Sequence, residues 1–378
     1  MSVVLSPAVV QDIAELRQLY FEVYGHGYPV PLGSDPAVMR RLITGGTAHW
    51  LTARTHSGDL VGSAVVQTDP GSRIGKLVGL VVHPGHRGGG LASRLTGAVC
   101  EEAFATGRLD SVYATVRVVT EGPQHVVVRN GFRPIGLMPN AVEVEGCESL
   151  ALFARYAEGV LDRRAPVARV PERLSALLSA ASAGIGIDYA ATRVVPGCEA
   201  ARSATDASPI ELIVAPAFVR RRFLERFPEA SNRFFPLHTP NALLVAADGG
   251  FEAYADLDPQ AGSCALVAVH PRPAAVAGAL EAVMTVVTRA GADYAETLLP
   301  LADTEALEVF LASGFVPSAV YPAMRRIHDR LHDYVVLSRT SRQIDFRATA
   351  VSPLLQPYLG AYLSAWTATY LPLHEVSR

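Results

Sequence analysis

Lysine is almost missing from this chain: of 33 basic side chains only Lys76 is a lysine, the others being arginines. That bias fits a GC-rich genome and gives Lys76 no special role. Charge is also undirected. The net charge is −3, with neither a basic block nor an acidic tail, which argues against a charge-driven nucleic-acid or membrane-surface partner. No uninterrupted apolar run reaches the roughly 18 residues of a membrane span. The opening MSVVLSPAVVQDIAEL has no basic segment leading into a long apolar block, so no secretory signal is expected. Cysteine is sparse. Cys100, Cys147, Cys198 and Cys264 fall in no CxxC or Cys/His metal spacing. They read as reduced thiols of a metal-free, cytoplasmic protein.

Apolar residues make up 49% of the chain, enough for large buried cores, and the length suggests two domains at roughly 100–200 residues each. A strand is expected at 2–6. A helix at about 9–23 follows, with Ile13, Leu16, Leu19, Tyr20 and Val23 on one side. After the Gly/Pro-rich loop YGHGYPVPLGSDP, Asp35 and Pro36 mark a helix start as N-cap and first-turn residue. Strands at about 47–54, 60–68 and 74–82 are separated by turn signals. A helix at 89–106, a strand at 111–118, a helix at 122–130 and strands near 132–137 and 149–156 complete a mixed α/β domain. Residues 160–207, rich in Ala, Pro and Arg, read as a partly helical connection.

The second half repeats the first. Strands at about 242–248, 251–257 and 264–270, a helix at 273–291, a strand at 293–299, a helix at 303–313 and strands near 315–324 and 332–339 follow the same order. Two anchors set the register: Val82-His83-Pro84 matches Val269-His270-Pro271, and Gly131-Phe132 matches Gly314-Phe315. Duplication is the expectation. The fold class is α/β, two mixed α/β domains in pseudo-symmetric tandem. The expected divisions are a ligand-binding domain at 1–160, a connection at 161–207, a degenerate copy at 208–345 and a helical tail at 346–378.

The segment LVGLVVHPGHRGGGLASRLTGAV ends a strand, turns, and enters a helix. Glycines let the backbone approach a ligand closely. Successive amides at a helix start form an anion nest that suits a diphosphate. A dinucleotide fingerprint or a phosphate-binding lysine loop would need other spacings. The motif Arg87-Gly88-Gly89-Gly90-Leu91-Ala92 after Val82-His83-Pro84, with Gly131-Phe132 behind a short helix, resembles the GNAT superfamily of acyltransferases. The resemblance covers about residues 1–157, and 208–340 more weakly. It implies that the amides of Arg87, Gly88, Gly89, Gly90, Leu91 and Ala92 hold the pyrophosphate of acetyl-CoA or another acyl-CoA. It also implies that the strand end at Val81 and Val82 pairs with the pantetheine arm. In the second half the loop reads RPAAVAGALEAV, so the nest is degraded and CoA binding is expected only in the first half.

Amide formation needs a neutral amine, a polarised carbonyl and a proton for the leaving thiolate. Relatives often place a carboxylate on the fourth strand and a tyrosine four residues before the Gly-Phe glycine. Here that strand, RIGKLVGLVV, has no acid, and Val127 stands at the tyrosine position. His83 beside the loop is the candidate base, though its counterpart His270 suggests a shared structural role. His26, Tyr24 and Tyr28, in the loop between the first two helices, are candidate catalytic or acceptor contacts. His125 should face away from Val127. Lys76 could orient an acidic acceptor or be an ordinary strand lysine. Tyr358, Tyr362, Trp366 and Tyr370 form a stripe on a tail helix, expected to dock on its own chain or, alternatively, to serve as a dimer contact or lid.

The function expected is direct acyl transfer, from acetyl-CoA first of all, to the amine of a small metabolite, by a monomer or homodimer. Three alternatives stay open: a non-catalytic acyl-CoA-binding regulator, an enzyme that hydrolyses or decarboxylates the thioester, and aminoacyl-tRNA-dependent transfer. The last is disfavoured by the intact loop and the lack of a basic face.

Overall fold

The computed structural model describes residues 3–25, 31–69, 71–144, 146–196, 208–229, 237–347 and 349–371. His26 and Tyr28 lie outside the described residues, as does Cys198. Two compact units emerge. The first comprises Met1–Val116, Glu121–Arg133 and Phe153–Glu158; the second comprises Arg117–Thr120, Pro134–Leu152 and Gly159–Arg378.

In the first unit β1 (Val3–Pro7), β2 (Ala48–Thr55), β3 (Leu60–Asp69), β4 (Ile74–Val82) and β5 (Ser111–Arg117) lie side by side in chain order. The β1–β4 pairings are antiparallel and the β4–β5 step is parallel. A parallel step requires a crossover, supplied by α3 (Leu91–Ala105). Helices α1 (Ile13–Tyr24) and α2 (Pro36–Thr44) fill the β1–β2 connection. Asp35 caps α2, its carboxylate accepting from the amides of Ala37 at 2.7 Å and Val38 at 3.3 Å, as its sequence position implies. Leu16, Leu19, Tyr20, Leu32, Met39, Trp50 and Val65 form a core between α1, α2 and the sheet. Helix α4 (Gly122–Arg129) then leads to Gly131-Phe132, with Phe132 buried.

The strand expected at 132–137 is longer. It runs as β6 (Arg133–Glu143), and β7 (Cys147–Tyr156) follows it. Almost all of β6 and the first part of β7 belong to the second unit. The connection contains β8 (Arg169–Pro171), α5 (Ser175–Ala181) and β9 (Arg193–Val195), followed by β10 (Ile210–Val214) and α6 (Pro216–Arg226). Both β10 and α6 lie in a stretch where the sequence reading placed no elements.

The remaining elements are β11 (Ala242–Ala246), β12 (Glu252–Asp258), β13 (Ser263–His270), α7 (Leu280–Arg289), β14 (Tyr294–Pro300), α8 (Thr304–Ala312), β15 (Val316–Ile327), β16 (Arg330–Thr340) and α9 (Gln356–Tyr370). Strands run β10-β11-β12-β13-β14-β16-β15-β6 within this unit. Helix α7 begins seven residues later than the 273 expected. Pro273–Val276 form a 3-10 turn instead, and Gly278 at φ +77° separates it from the helix. The tail aromatics dock on their own unit. Tyr358 and Tyr362 are buried, and Tyr358 donates to the Pro134 carbonyl at 2.6 Å. Tyr370 donates to the Gly314 carbonyl at 2.6 Å.

No helix among the described residues is long and apolar enough to cross a membrane. No cluster of His, Cys, Asp or Glu suited to a metal occurs among them.

The connection is fastened by a buried ion pair. Asp333, with a fully buried side chain, accepts from Arg164 (2.6 Å at closest), from the Tyr189 hydroxyl at 2.7 Å and from the Ala323 amide at 2.8 Å. Removing one partner of such a pair leaves a buried charge unmatched. Asp333→Ala is expected to lower unfolding stability by about 3–5 kcal/mol. Urea denaturation checks this, and a loss below about 1 kcal/mol would contradict the role given to the pair.

Candidate active site

Strand β4 is paired with β5 only at its start. The parallel ladder joins Ile74–Lys76 to Ser111–Tyr113 and stops. Beyond it β4 continues to Val82 and β5 to Arg117, so the two strands part and the β5-facing edge of β4 is open. The side chains of Val81 and Val82 are buried, which fixes the strand while its backbone edge stays free. A bulge sets where this edge lies. Ser63 pairs with Val81 but Val65 with Val78, so Gly79 and Leu80 stand opposite Ala64. Gly79 adopts φ +61°, and a Cβ there would come within 2.5 Å of the Tyr20 hydroxyl. Only glycine fits. The bulge carbonyls are held from α1: Tyr20 donates to Gly79 O at 2.6 Å and Tyr24 to Leu80 O at 3.0 Å.

At the end of β4, His83 caps a 3-10 turn, Pro84–His86. Its Nδ1 accepts from the Gly85 amide at 3.2 Å, and its Nε2 lies 3.7 Å from Glu22 Oε2. An acceptor Nδ1 places the proton of the neutral ring on Nε2, facing the carboxylate. In this tautomer neither ring nitrogen offers a free lone pair to an amine. Glu22, whose other oxygen accepts from Gln18 at 2.8 Å, is the adjoining group that has one. Sequence reasoning missed Glu22. It belongs to α1, and only folding brings it to the end of β4.

The turn then opens into the glycine loop. Gly88 and Gly90 hold φ of +83° and +73°, with open space on the side where a Cβ would stand. Arg87 is turned back, its Nε donating to Val82 O at 3.2 Å. The first helical bond at the start of α3 is Arg94 N to Gly90 O. The amides from Gly88 through Leu91 and Ala92 to Ser93 therefore have no acceptor among the described residues. Six adjacent donors at the positive end of a helix fit a diphosphate. Asn130 ties α4 to this helix end, donating to Ser93 Oγ at 3.0 Å and to Val126 O at 2.8 Å.

Residues 11–132 match the family model described as the acetyltransferase (GNAT) family. This segment is a GNAT acetyltransferase domain. No curated protein matches the chain. Among solved structures, the GNAT-family acetyltransferase of Streptococcus pneumoniae is 20% identical over 41% of this chain and 100% of its own, with a TM-score of 0.37. The spermidine N-acetyltransferase of Vibrio cholerae, in complex with CoA and spermine, is 14% identical over 41% of this chain and 95% of its own, with a TM-score of 0.36. A phosphinothricin acetyltransferase of Sinorhizobium meliloti, in complex with AcCoA, is 20% identical over 42% of this chain and 95% of its own, with a TM-score of 0.37.

Other candidate groups of the GNAT domain sit apart from the nest or are engaged. Val127 is buried, and His125 is exposed beside Glu121 at 3.7 Å. Lys76 holds its ammonium 5.5 Å from the Tyr113 ring centre. Burial pushes the Cys100 thiol up to about 12, so it stays protonated at neutral pH and supplies no nucleophile.

The second unit contains a similar strand parting. The β13–β14 ladder ends at Leu266 and Thr297, after which Thr297 Oγ1 donates to Leu266 O at 3.3 Å. Its following turn is different. Pro273 has no amide hydrogen, while the amides of Ala275, Ala277 and Ala279 are already spent on Arg272, Ala274 and Val276 carbonyls. The side chains of Ala274 and Val276 are buried, and Arg272 is paired with Glu305 at 2.5 Å.

Left-handed backbone at Gly90 gives a direct test. Gly90→Ala adds about 1–2 kcal/mol of local strain without filling space. Gly90→Glu adds a negative charge to the nest as well. Calorimetric titration with acetyl-CoA should show a modest loss of affinity for the first variant and near-complete loss for the second. Wild-type affinity in Gly90→Glu would remove the loop from the binding site.

Proposed function

We propose that the GNAT domain transfers an acyl group, from acetyl-CoA first of all, to the amine of a small molecule. The observation that carries this reading is the run of six amides, Gly88 to Ser93, with no acceptor among the described residues, beside the open edge of β4. The nest would take the pyrophosphate. The β4 edge up to Val81 and Val82 would take the pantetheine arm and direct the thioester toward the bulge at Gly79 and Leu80.

In the reaction the amine nitrogen forms a bond to the thioester carbon and the carbon–sulfur bond breaks. One proton leaves the nitrogen, and the thiolate accepts one. We assign the first proton to the Glu22–His83 pair: the Glu22 carboxylate takes it, and the Nε2–H of His83 steadies the carboxylate orientation. This refines the base role expected of His83 alone, because its capping bond to Gly85 fixes the tautomer. Val127 offers no proton to sulfur. A thiol with a reference pKa of about 8.5 leaves with modest help, so its loss slows the reaction without blocking it. Tyr24 and, in the adjoining loop, Tyr28 and His26 are assigned to the acceptor side.

The empty tyrosine position also favours a second reading, an acyl-CoA-binding protein without turnover. Acetyl-CoA binding with no thiol release over a broad amine panel would establish that reading instead; thiol release without any acceptor would mean hydrolysis. The shared strand order, β1 to β5 against β10 to β14, and the shared parting support a duplicated second half. We assign it no CoA site, since Pro273 has no amide hydrogen and the amides of Ala275, Ala277 and Ala279 are already accepted within the turn. Calorimetry should therefore give one acetyl-CoA per chain, and two equivalent sites would overturn the assignment.

The base assignment separates cap from chemistry. His83→Asn keeps a side-chain acceptor for Gly85 but cannot titrate, so stability and acetyl-CoA affinity should hold. Glu22→Gln should lower kcat near neutral pH by about 10²-fold, the scale of a lost general base, and His83→Asn by less. Steady-state rates between pH 6 and 9 check this. Unchanged profiles in Glu22→Gln would exclude Glu22 as the base.

A further inference from the structure

The outer stripe of α1 borders a cavity that the CoA side of the site does not use. It is an open cleft of about 370 Å³, lined by Ala14, Arg17, Gln18, Tyr20 and Phe21 of the helix and Gly25 at its end, with Gly33 and Ser34 returning beside them, and most of these residues are exposed. This is within the range of small-ligand pockets, about 300–1,000 Å³. Tyr20 links it to the reacting strand. Its ring lines the cavity while its hydroxyl reaches the Gly79 carbonyl in the β4 bulge.

Charge in this lining is of one sign. Among the described lining residues, Arg17 is the one ionised side chain. The Arg17 Nε donates to Ser34 O at 3.0 Å, which anchors the guanidinium plane against the wall. Both terminal nitrogens are left without a partner among the described residues. Carboxylates nearby on the helix are already committed. Glu15 is paired with Arg54 at 2.7 Å, and Glu22 holds Gln18 and faces His83. An anchored guanidinium loses little freedom when it binds, and its fork matches a carboxylate in a two-pronged arrangement. Phe21, 48% exposed, adds an apolar wall.

We propose that this cavity receives the acceptor, and that the acceptor carries a carboxylate, bound by Arg17, on a short apolar stem bearing the amine. The acceptor class is thus a small amino acid and not a polyamine: a polycation would meet Arg17 with like charge. The inference rests on the acyltransferase reading above for the fate of the amine, and on the cavity alone for recognition of the carboxylate.

Two measurements test these parts separately. In the first, ligand-observed NMR on the full chain without any CoA compares β-alanine with propylamine, which differ by the carboxylate. Binding of β-alanine, weakened in Arg17→Gln and partly kept in Arg17→Lys, is expected. Equal binding of the two ligands, or an unchanged Arg17→Gln, overturns the proposal whether or not the protein turns over. In the second, thiol release from acetyl-CoA is followed with the same pair and with spermidine. The kcat/KM for β-alanine should exceed that for propylamine by about 10- to 100-fold, the scale of a charge-assisted pair. Arg17→Gln should erase the gap while acetyl-CoA affinity holds. A wild-type preference for spermidine also overturns the proposal. If no amine is acetylated although acetyl-CoA binds, the acyltransferase reading fails, and the NMR result alone decides the role of Arg17.

Discussion

The parting of β4 from β5 after Lys76 and Tyr113 is the constraint on which the site depends. A parallel ladder satisfies both strands' backbone groups, and ending it early leaves a row of donors and acceptors open. The same ending frees the turn after β4 to carry three glycines into α3, where amides without acceptors gather at a positive helix end. The bulge at Gly79 then angles the strand, and two tyrosines of α1 hold its carbonyls in place. The open groups here belong to the backbone, and their arrangement depends on glycine geometry more than on charged side chains.

The two turns differ in how their backbone groups are used. In the second unit a buried threonine hydroxyl bridges the point where the strands separate. Ala274 and Val276 are buried, Pro273 has no amide hydrogen, and short-range turns consume the amides of Ala275, Ala277 and Ala279. Each of these last differences is local to the turn. Within that unit Asp333 ties Arg164 and Tyr189 of the connection to the β15–β16 hairpin.

Several features were legible in the sequence because they follow from short-range chemistry. Apolar spacing sets α1. Asp35 and Pro36 start α2, and the run Arg87 to Ala92 can only be a tight turn opening onto a helix. Other local signals misled. Helix α7 was expected from residue 273 on apolar periodicity, but Gly278 in the left-handed region breaks it and the helix starts at Leu280. No element was expected in 208–241, and β10 is a strand because β11 pairs with it.

By itself the sequence determined the order of elements through the first domain, the anion nest, and the absence of an acid or tyrosine at the positions where relatives often have them. Those depend on residues adjacent in the chain, where glycine conformation, capping and periodicity act directly. Tertiary structure alone decided which groups meet. It placed Glu22 of α1 against His83, separated by 61 positions in the chain, and fixed the imidazole tautomer through Gly85. It anchored Arg17 on Ser34, with no further partner among the described residues, and it placed most of β6 in the second unit. The reason is range: a side chain's chemistry is set by neighbours that the fold brings from distant positions, and periodicity along a helix or strand carries no record of them.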